Sequence, residues 1–194
     1  MLNKMRLRKE SCSAFFYDFS IDKKDNLTCD FWVDPIARRN YDVFGDVVSF
    51  YCTYRTNKYE MIFAPFTSKY NHGKCVTFGV ELMSGENQGC YIWAFKKFAK
   101  CMGRHPGMII TDQNPTMRIS IKQCFPNTRH RLCIWHIMIE VLEKVPPYLK
   151  KDDYFMKRLN GVVWSDMIEP AIFKEKWNAL MVDFELTETR WFKT

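Results

Sequence analysis

The sequence predicts an α/β domain, a mixed sheet with flanking helices, followed by an all-helical segment. Three observations carry that class. Short β-rich runs succeed one another from Phe15 to Leu82. From Gly89 a helical pattern alternates with short apolar strands. After Pro146-Pro147 only helical spacing recurs.

Residues 1–12 hold Lys4, Arg6, Arg8 and Lys9 and are expected to form a loose basic tail. The domain proper is expected over residues 13–145. Phe15 to Ile21 reads as a strand, Asp22-Lys23-Lys24-Asp25-Asn26 as a turn, and Leu27 to Val33 as the returning strand. Asp34 is placed to cap a helix that opens on Pro35 and runs to about Phe44. Asp46 to Tyr51, Tyr59 to Pro65 and Cys75 to Leu82 read as three strands, with a turn at Asn71-His72-Gly73 between the last two. Gly89 to Met102 places Tyr91, Ile92, Phe95, Phe98, Ala99 and Met102 at helical spacing, with Lys96, Lys97 and Lys100 on the other face. Gly107 to Thr111 is a short buried strand. Asp112 or Asn114 then caps a helix through Cys124, which Pro126-Asn127 ends. Arg129 to Cys133 is a strand, and a helix starts at Trp135. Residues 146–194 read as a helical continuation with Trp164, Phe173, Trp177, Leu180, Met181 and Phe184 as its apolar set. Three strands, helix, strand, helix, strand is the order of an RNase H-like core.

Composition fits one ordered domain. Of 194 residues, 47% are apolar and 26% charged, which argues against wholesale disorder. The aromatic share of 16% is read as core packing. A net charge of +7 favours phosphate or another acidic surface. The eight cysteines sit within apolar runs such as Gly89-Cys90-Tyr91-Ile92-Trp93, so they are read as buried free thiols of a reducing compartment. Charges at Lys4, Arg6, Arg8, Lys9 and Glu10 interrupt any secretory signal, and no apolar run reaches membrane-span length. The expected place is cytosolic or nuclear, with no membrane partner.

A nuclease of this fold class holds Mg²⁺ between carboxylates at neighbouring strand ends. Asp112 fits one such position, after an apolar strand and before a helix, where it serves equally as a helix cap. The strand Asp46 to Tyr51 ends on Tyr51, Cys52, Thr53 and Tyr54 and offers no acid there. Asp46 lies five positions earlier, an odd offset that turns it to the opposite face. Phenol and thiol are poor Mg²⁺ ligands. Cys124, His130, Cys133 and His136 suggest zinc by residue type. Their distribution over a helix end, a strand and a short loop argues against it, and Cys133 and His136 are read as packed at a strand–helix junction. His72 and His105 are read as surface residues. There is no Gly-rich phosphate cradle and no Ser–His nucleophile signature.

Several stretches resemble the Mutator-like transposase domain of the plant FAR-RED IMPAIRED RESPONSE and related-sequence family. They are Phe31-Trp32-Val33-Asp34, Tyr41 to Phe50 (YDVFGDVVSF), Tyr54 to Pro65 (YRTNKYEMIFAP), Asn71-His72-Gly73, Ile109 to Gln113 (IITDQ) and Phe125 to His136 (FPNTRHRLCIWH). The resemblance implies a transposase fold recruited to transcription regulation of light responses in the nucleus. It assigns Asp112 to the family's second acid, Tyr51 to the place of the first, and Cys133 and His136 to a Cys-x-x-His signature. It also implies that the third acid, a Glu, the N-terminal zinc-containing DNA-binding region and the C-terminal zinc finger fall outside this chain, as in a fragment.

The function expected is therefore a non-catalytic, transposase-derived nuclear regulator. No cofactor is expected for this chain; zinc belongs to the full-length family and Mg²⁺ to an active enzyme. Expected partners are DNA through a basic surface, or related regulators as homo- or heterodimers. The alternatives are an active Mg²⁺-dependent transposase or nuclease, with Glu60, Asp42 or Asp46 replacing the missing acid, and an interaction or dimerisation module using Trp164, Trp177 and Trp191.

Overall fold

Alternation in Leu27–Val33 turns Cys29, Phe31 and Val33 to one face of a strand, where all three are buried. That face is the floor of the main core. The computed structural model describes residues 2–193 apart from 54–56, 58, 71 and 166, so Asn71 of the expected turn lies outside the described residues. The chain divides into two compact units, Met1–Cys133 and Ile134–Thr194, rather than at residue 145.

The first unit holds seven strands: β1 Phe16–Ile21, β2 Leu27–Val33, β3 Val47–Phe50, β4 Ile62–Lys69, β5 Cys75–Met83, β6 Met108–Thr111 and β7 Arg129–Leu132. They form one mixed sheet in the order β1-β2-β5-β4-β3-β6-β7. β3, β6 and β7 run parallel, and the remaining pairs are antiparallel. Four helices accompany them: α1 Leu2–Ser11, α2 Pro35–Phe44, α3 Gln88–Met102 and α4 Pro115–Cys124.

The class and order match the sequence reading, with four local differences. The N-terminal residues are helical, not loose. Helix-forming Leu, Lys, Met and Arg outweigh the missing apolar stripe, and Arg8 anchors the helix by pairing with Asp34 and lying over the Phe15 ring at 4.6 Å. Asp34 stands at the N-cap of α2, but its carboxylate is spent on Arg8 and makes no cap hydrogen bond. β4 starts and ends later than Tyr59 to Pro65. Pro65 sits inside it because pairing with β3 begins only at Phe66, so no ladder bond is lost on that side. Cys75 is exposed at the head of β5, while Cys29, Cys90 and Cys101 are buried; all eight thiols are free.

The aromatic surplus is core, as expected. Phe66 stacks on Phe98 with centroids 4.1 Å apart and lies 4.5 Å from Phe50. Tyr41 meets Phe78 and Phe98 edge-on. Each such buried ring stabilises the fold by about 1.5–3 kcal/mol. Asn87 caps α3 by accepting from the Cys90 amide, and Gly103 ends it in the left-handed conformation at φ 74°.

The second unit holds α5 Ile134–Lys144, α6 Asp153–Val163 and α7 Pro170–Asp183. Asp152 caps α6, and Arg158 pairs with Asp183 at 2.6 Å. The core gathers Met138, Val141, Phe155, Leu159, Leu180 and Met181, with Trp177 and Phe184 packed on it. Trp164, expected among the apolar set, is 49% exposed, and Phe173 is also exposed. Among the described residues no helix is long and apolar enough to cross a membrane.

Candidate functional site

Parallel pairing of β3, β6 and β7 brings three strand ends side by side. Ser49 pairs with Ile110, and Ile110 with Arg131. Two further residues along each strand, the same register sets Tyr51, Asp112 and Cys133 in one row, and the Cys133 amide donates to the Thr111 carbonyl at 2.7 Å. The three residues singled out at these strand ends are therefore neighbours.

Each is held differently. Tyr51 is half-buried; burial first, then the Cys133 thiol, pushes its hydroxyl up to about 12. It stays a neutral phenol at physiological pH. Asp112 accepts from the Asn114 amide at 3.1 Å. It is not the helix cap: Asn114 caps α4, accepting from Thr116 and Met117 at 2.9 and 3.1 Å. Its carboxylate only braces the turn before that cap.

Sequence reasoning missed Glu86. It lies just before the Asn87 cap of α3, and its Oε2 accepts from the Asn114 side-chain amide at 3.0 Å and from the Tyr91 hydroxyl at 3.3 Å. The Tyr91 hydroxyl also faces the Cys52 sulfur at 3.6 Å. Asn114 thus ties a second carboxylate to the turn that Asp112 braces. The signal that could have found Glu86 is a lone acid between a strand and a helix cap, which is common at any helix start.

The other candidates disperse. Asp46 is 85% exposed and pairs with Arg104, at the opposite end of β3 from Tyr51. Its distance along the strand separates it from the row. His130 joins Thr111 Oγ1 at 2.9 Å, while that hydroxyl donates to the Asp112 carbonyl. The imidazole Nε2 is therefore the donor, and burial, then Arg118, pulls its pKa down. Cys124 turns toward the Ile92 carbonyl at 3.8 Å. His136, in α5, lies edge-on to Trp135 at 4.9 Å. Among the described residues no three His, Cys, Asp or Glu side chains converge as metal ligands would.

Residues 47–140, which span β3 through the site row, match the MULE transposase domain. Protein FAR1-RELATED SEQUENCE 2 of Arabidopsis thaliana is 32% identical over 92% of this chain and 22% of its own length. FAR1-RELATED SEQUENCE 5 is 31% identical over the whole chain and 24% of its own length. FAR-RED IMPAIRED RESPONSE 1 is 30% identical over 96% of the chain and 22% of its own length. This chain belongs to the transposase-derived FAR1-related family. It spans about a quarter of the length of those FAR1-related proteins.

Asn114 is the pivot of the site, and its loss has a defined cost. Asn114→Ala is expected to destabilise the first unit by about 1 kcal/mol, from the lost cap. Chemical denaturation reads this directly, and a change of a few tenths of a kcal/mol refutes the role of the cap.

Proposed function

We propose that this domain is a non-catalytic, transposase-derived module of a plant nuclear regulator, with an RNase H-like core that engages nucleic acid without cutting it. The observation that carries this reading is Tyr51, which stands beside Asp112 where strand-end chemistry would need a second carboxylate. A neutral phenol and a thiol on either side of one carboxylate do not fit Mg²⁺. Glu86 is tied through its Oε2 to Asn114 and Tyr91. A phenol beside Asp112 in place of an acid argues against the metal-dependent cleavage of the alternative reading.

The net charge of +7 supports contact with nucleic-acid phosphates. Similarity to the FAR1-related proteins supports the regulatory role. The test is nicking of supercoiled plasmid by the purified chain with Mg²⁺ or Mn²⁺. The expected result is no nicking above the metal-only control, with retarded migration of the plasmid from binding. Metal-dependent nicking abolished by Asp112→Asn overturns the reading.

A further inference from the structure

The β1–β2 hairpin lies at the far edge of the sheet from the Tyr51–Asp112–Cys133 row. Its two faces differ. Phe16 and Asp18 turn inward, where Phe16 meets Phe31 at 5.9 Å and Asp18 pairs with Lys97 at 2.6 Å. Tyr17, Phe19 and Ile21 take the outer face. Tyr17 is buried, but Phe19 is 45% and Ile21 48% exposed. Tyr17 and Phe19 stack at 6.0 Å and 27°. Trp32, directly opposite Tyr17 in register, is half-buried on the same face. Phe19 and the half-buried Trp32 thus present aromatic surface on an edge hairpin, beside the exposed Ile21.

α1 runs along this face and supplies cations. Its residues Leu2, Asn3, Arg6 and Lys9 form a groove of about 430 Å³ with Tyr17, Asp18 and Phe19. Lys9 is held there by the Tyr17 carbonyl at 3.2 Å. Arg6 makes an exposed contact with Glu10 at 3.7 Å. The acid at the rim, Asp18, is already paired with Lys97. Asp30 lies beneath the rings, and burial pushes its carboxyl upward, which reduces the negative charge under the platform.

We propose that the outer face of the β1–β2 hairpin, flanked by α1, binds single-stranded nucleic acid, with Phe19 and Trp32 as stacking surface for bases and Arg6 and Lys9 as phosphate contacts. Two accessible rings beside two cations complement a ligand that is both polyanionic and rich in flat apolar faces. An unpaired strand has both properties, a duplex hides its base faces, and an acidic peptide lacks them. The inference does not rest on the reading of the acid row, which occupies the other edge of the sheet.

Fluorescence anisotropy of the full chain with a labelled thymidine 12-mer tests it, alongside a 12-base-pair duplex and a polyglutamate competitor. The expected result is preference for the strand. Phe19→Ala weakens it about tenfold, Phe19→Tyr retains it, and the double change Arg6→Gln with Lys9→Gln lowers the salt slope by about 1.4. Thermal melting checks that each variant folds, and the charge variants carry the test if Phe19→Ala does not. Strand affinity within twofold of wild type in Phe19→Ala, an unchanged salt slope, or equal competition by polyglutamate overturns the proposal.

Discussion

Glu81→Leu is expected to raise the stability of the first unit by about 2–4 kcal/mol at neutral pH, because it removes a buried carboxyl that has no adequate partner. Glu81 is fully buried, and neither carboxylate oxygen has a partner of hydrogen-bond geometry among the described residues. It stands opposite Phe31 on the core face of β5. Burial pushes its pKa well above 4.5, the nearby Cys90 adds to the rise, and the Cys29 thiol opposes it. The Cys29 thiol in turn pulls Cys90 down to about 6, helped by the Asn87 amide at 3.4 Å. Glu81 is thus the neutral member of a cluster in which Cys90 is the more acidic thiol.

The pH dependence follows from the direction of the Glu81 shift. Below about pH 4 the carboxyl is protonated whether the chain is folded or not, and it adds nothing to pH dependence. Above 4.5 the unfolded chain releases the proton and the folded one retains it. Each further pH unit then costs about 1.4 kcal/mol, until the raised folded value is reached. Wild-type stability should fall from pH 4.5 to about 6, Asp30, shifted the same way, adding to the fall, while above about 6 the lowered Cys90 thiol acts in the opposite direction. Glu81→Gln should remove the larger part of that slope, while Glu81→Leu removes it and gains stability. Urea denaturation between pH 4 and 7 measures both. A Glu81→Leu protein less stable than wild type at pH 7 shows that the cluster needs the carboxyl.

These buried carboxyls also mark where sequence reading stops. Helix and strand periods in Leu27–Val33, Gly89–Met102 and Ile109–Ile110 were legible because burial on one face imposes them. The neighbour relations of Tyr51, Asp112 and Cys133 were legible only as separate strand ends, since register is a property of the pairing. Helix α1 was not legible from periodicity, because it has no apolar stripe: helix-forming residues and the pairing of Arg8 with Asp34 hold it instead. Glu81 was hidden for a related reason. An acid in Val80-Glu81-Leu82 reads as the solvent side of an alternating strand, but the register shift between Phe66 and Thr67 turns it to the core. Glu86 was hidden because its partners, Asn114 and Tyr91, meet it only in three dimensions.

The second large effect concerns the row itself. Tyr51→Asp is expected to create a divalent-metal site, with Mn²⁺ affinity at least about tenfold above wild type. Continuing the β3–β6 register, the new carboxylate stands opposite Asp112 on the adjacent strand, about 4.8 Å away between backbones. Two carboxylates at that spacing suit a hard cation, where one flanked by phenol and thiol does not. Without metal the paired charges repel, so the variant should melt below wild type. Saturating Mn²⁺ should reverse this, with stabilisation of about 2.7 kcal/mol at a hundredfold excess over Kd. Adding Asp112→Asn should abolish both the binding and the rescue. Titration calorimetry and melting with and without Mn²⁺ give the answer. If wild type binds Mn²⁺ as tightly as the variant, then Tyr51 is not what separates this domain from a metal-dependent one.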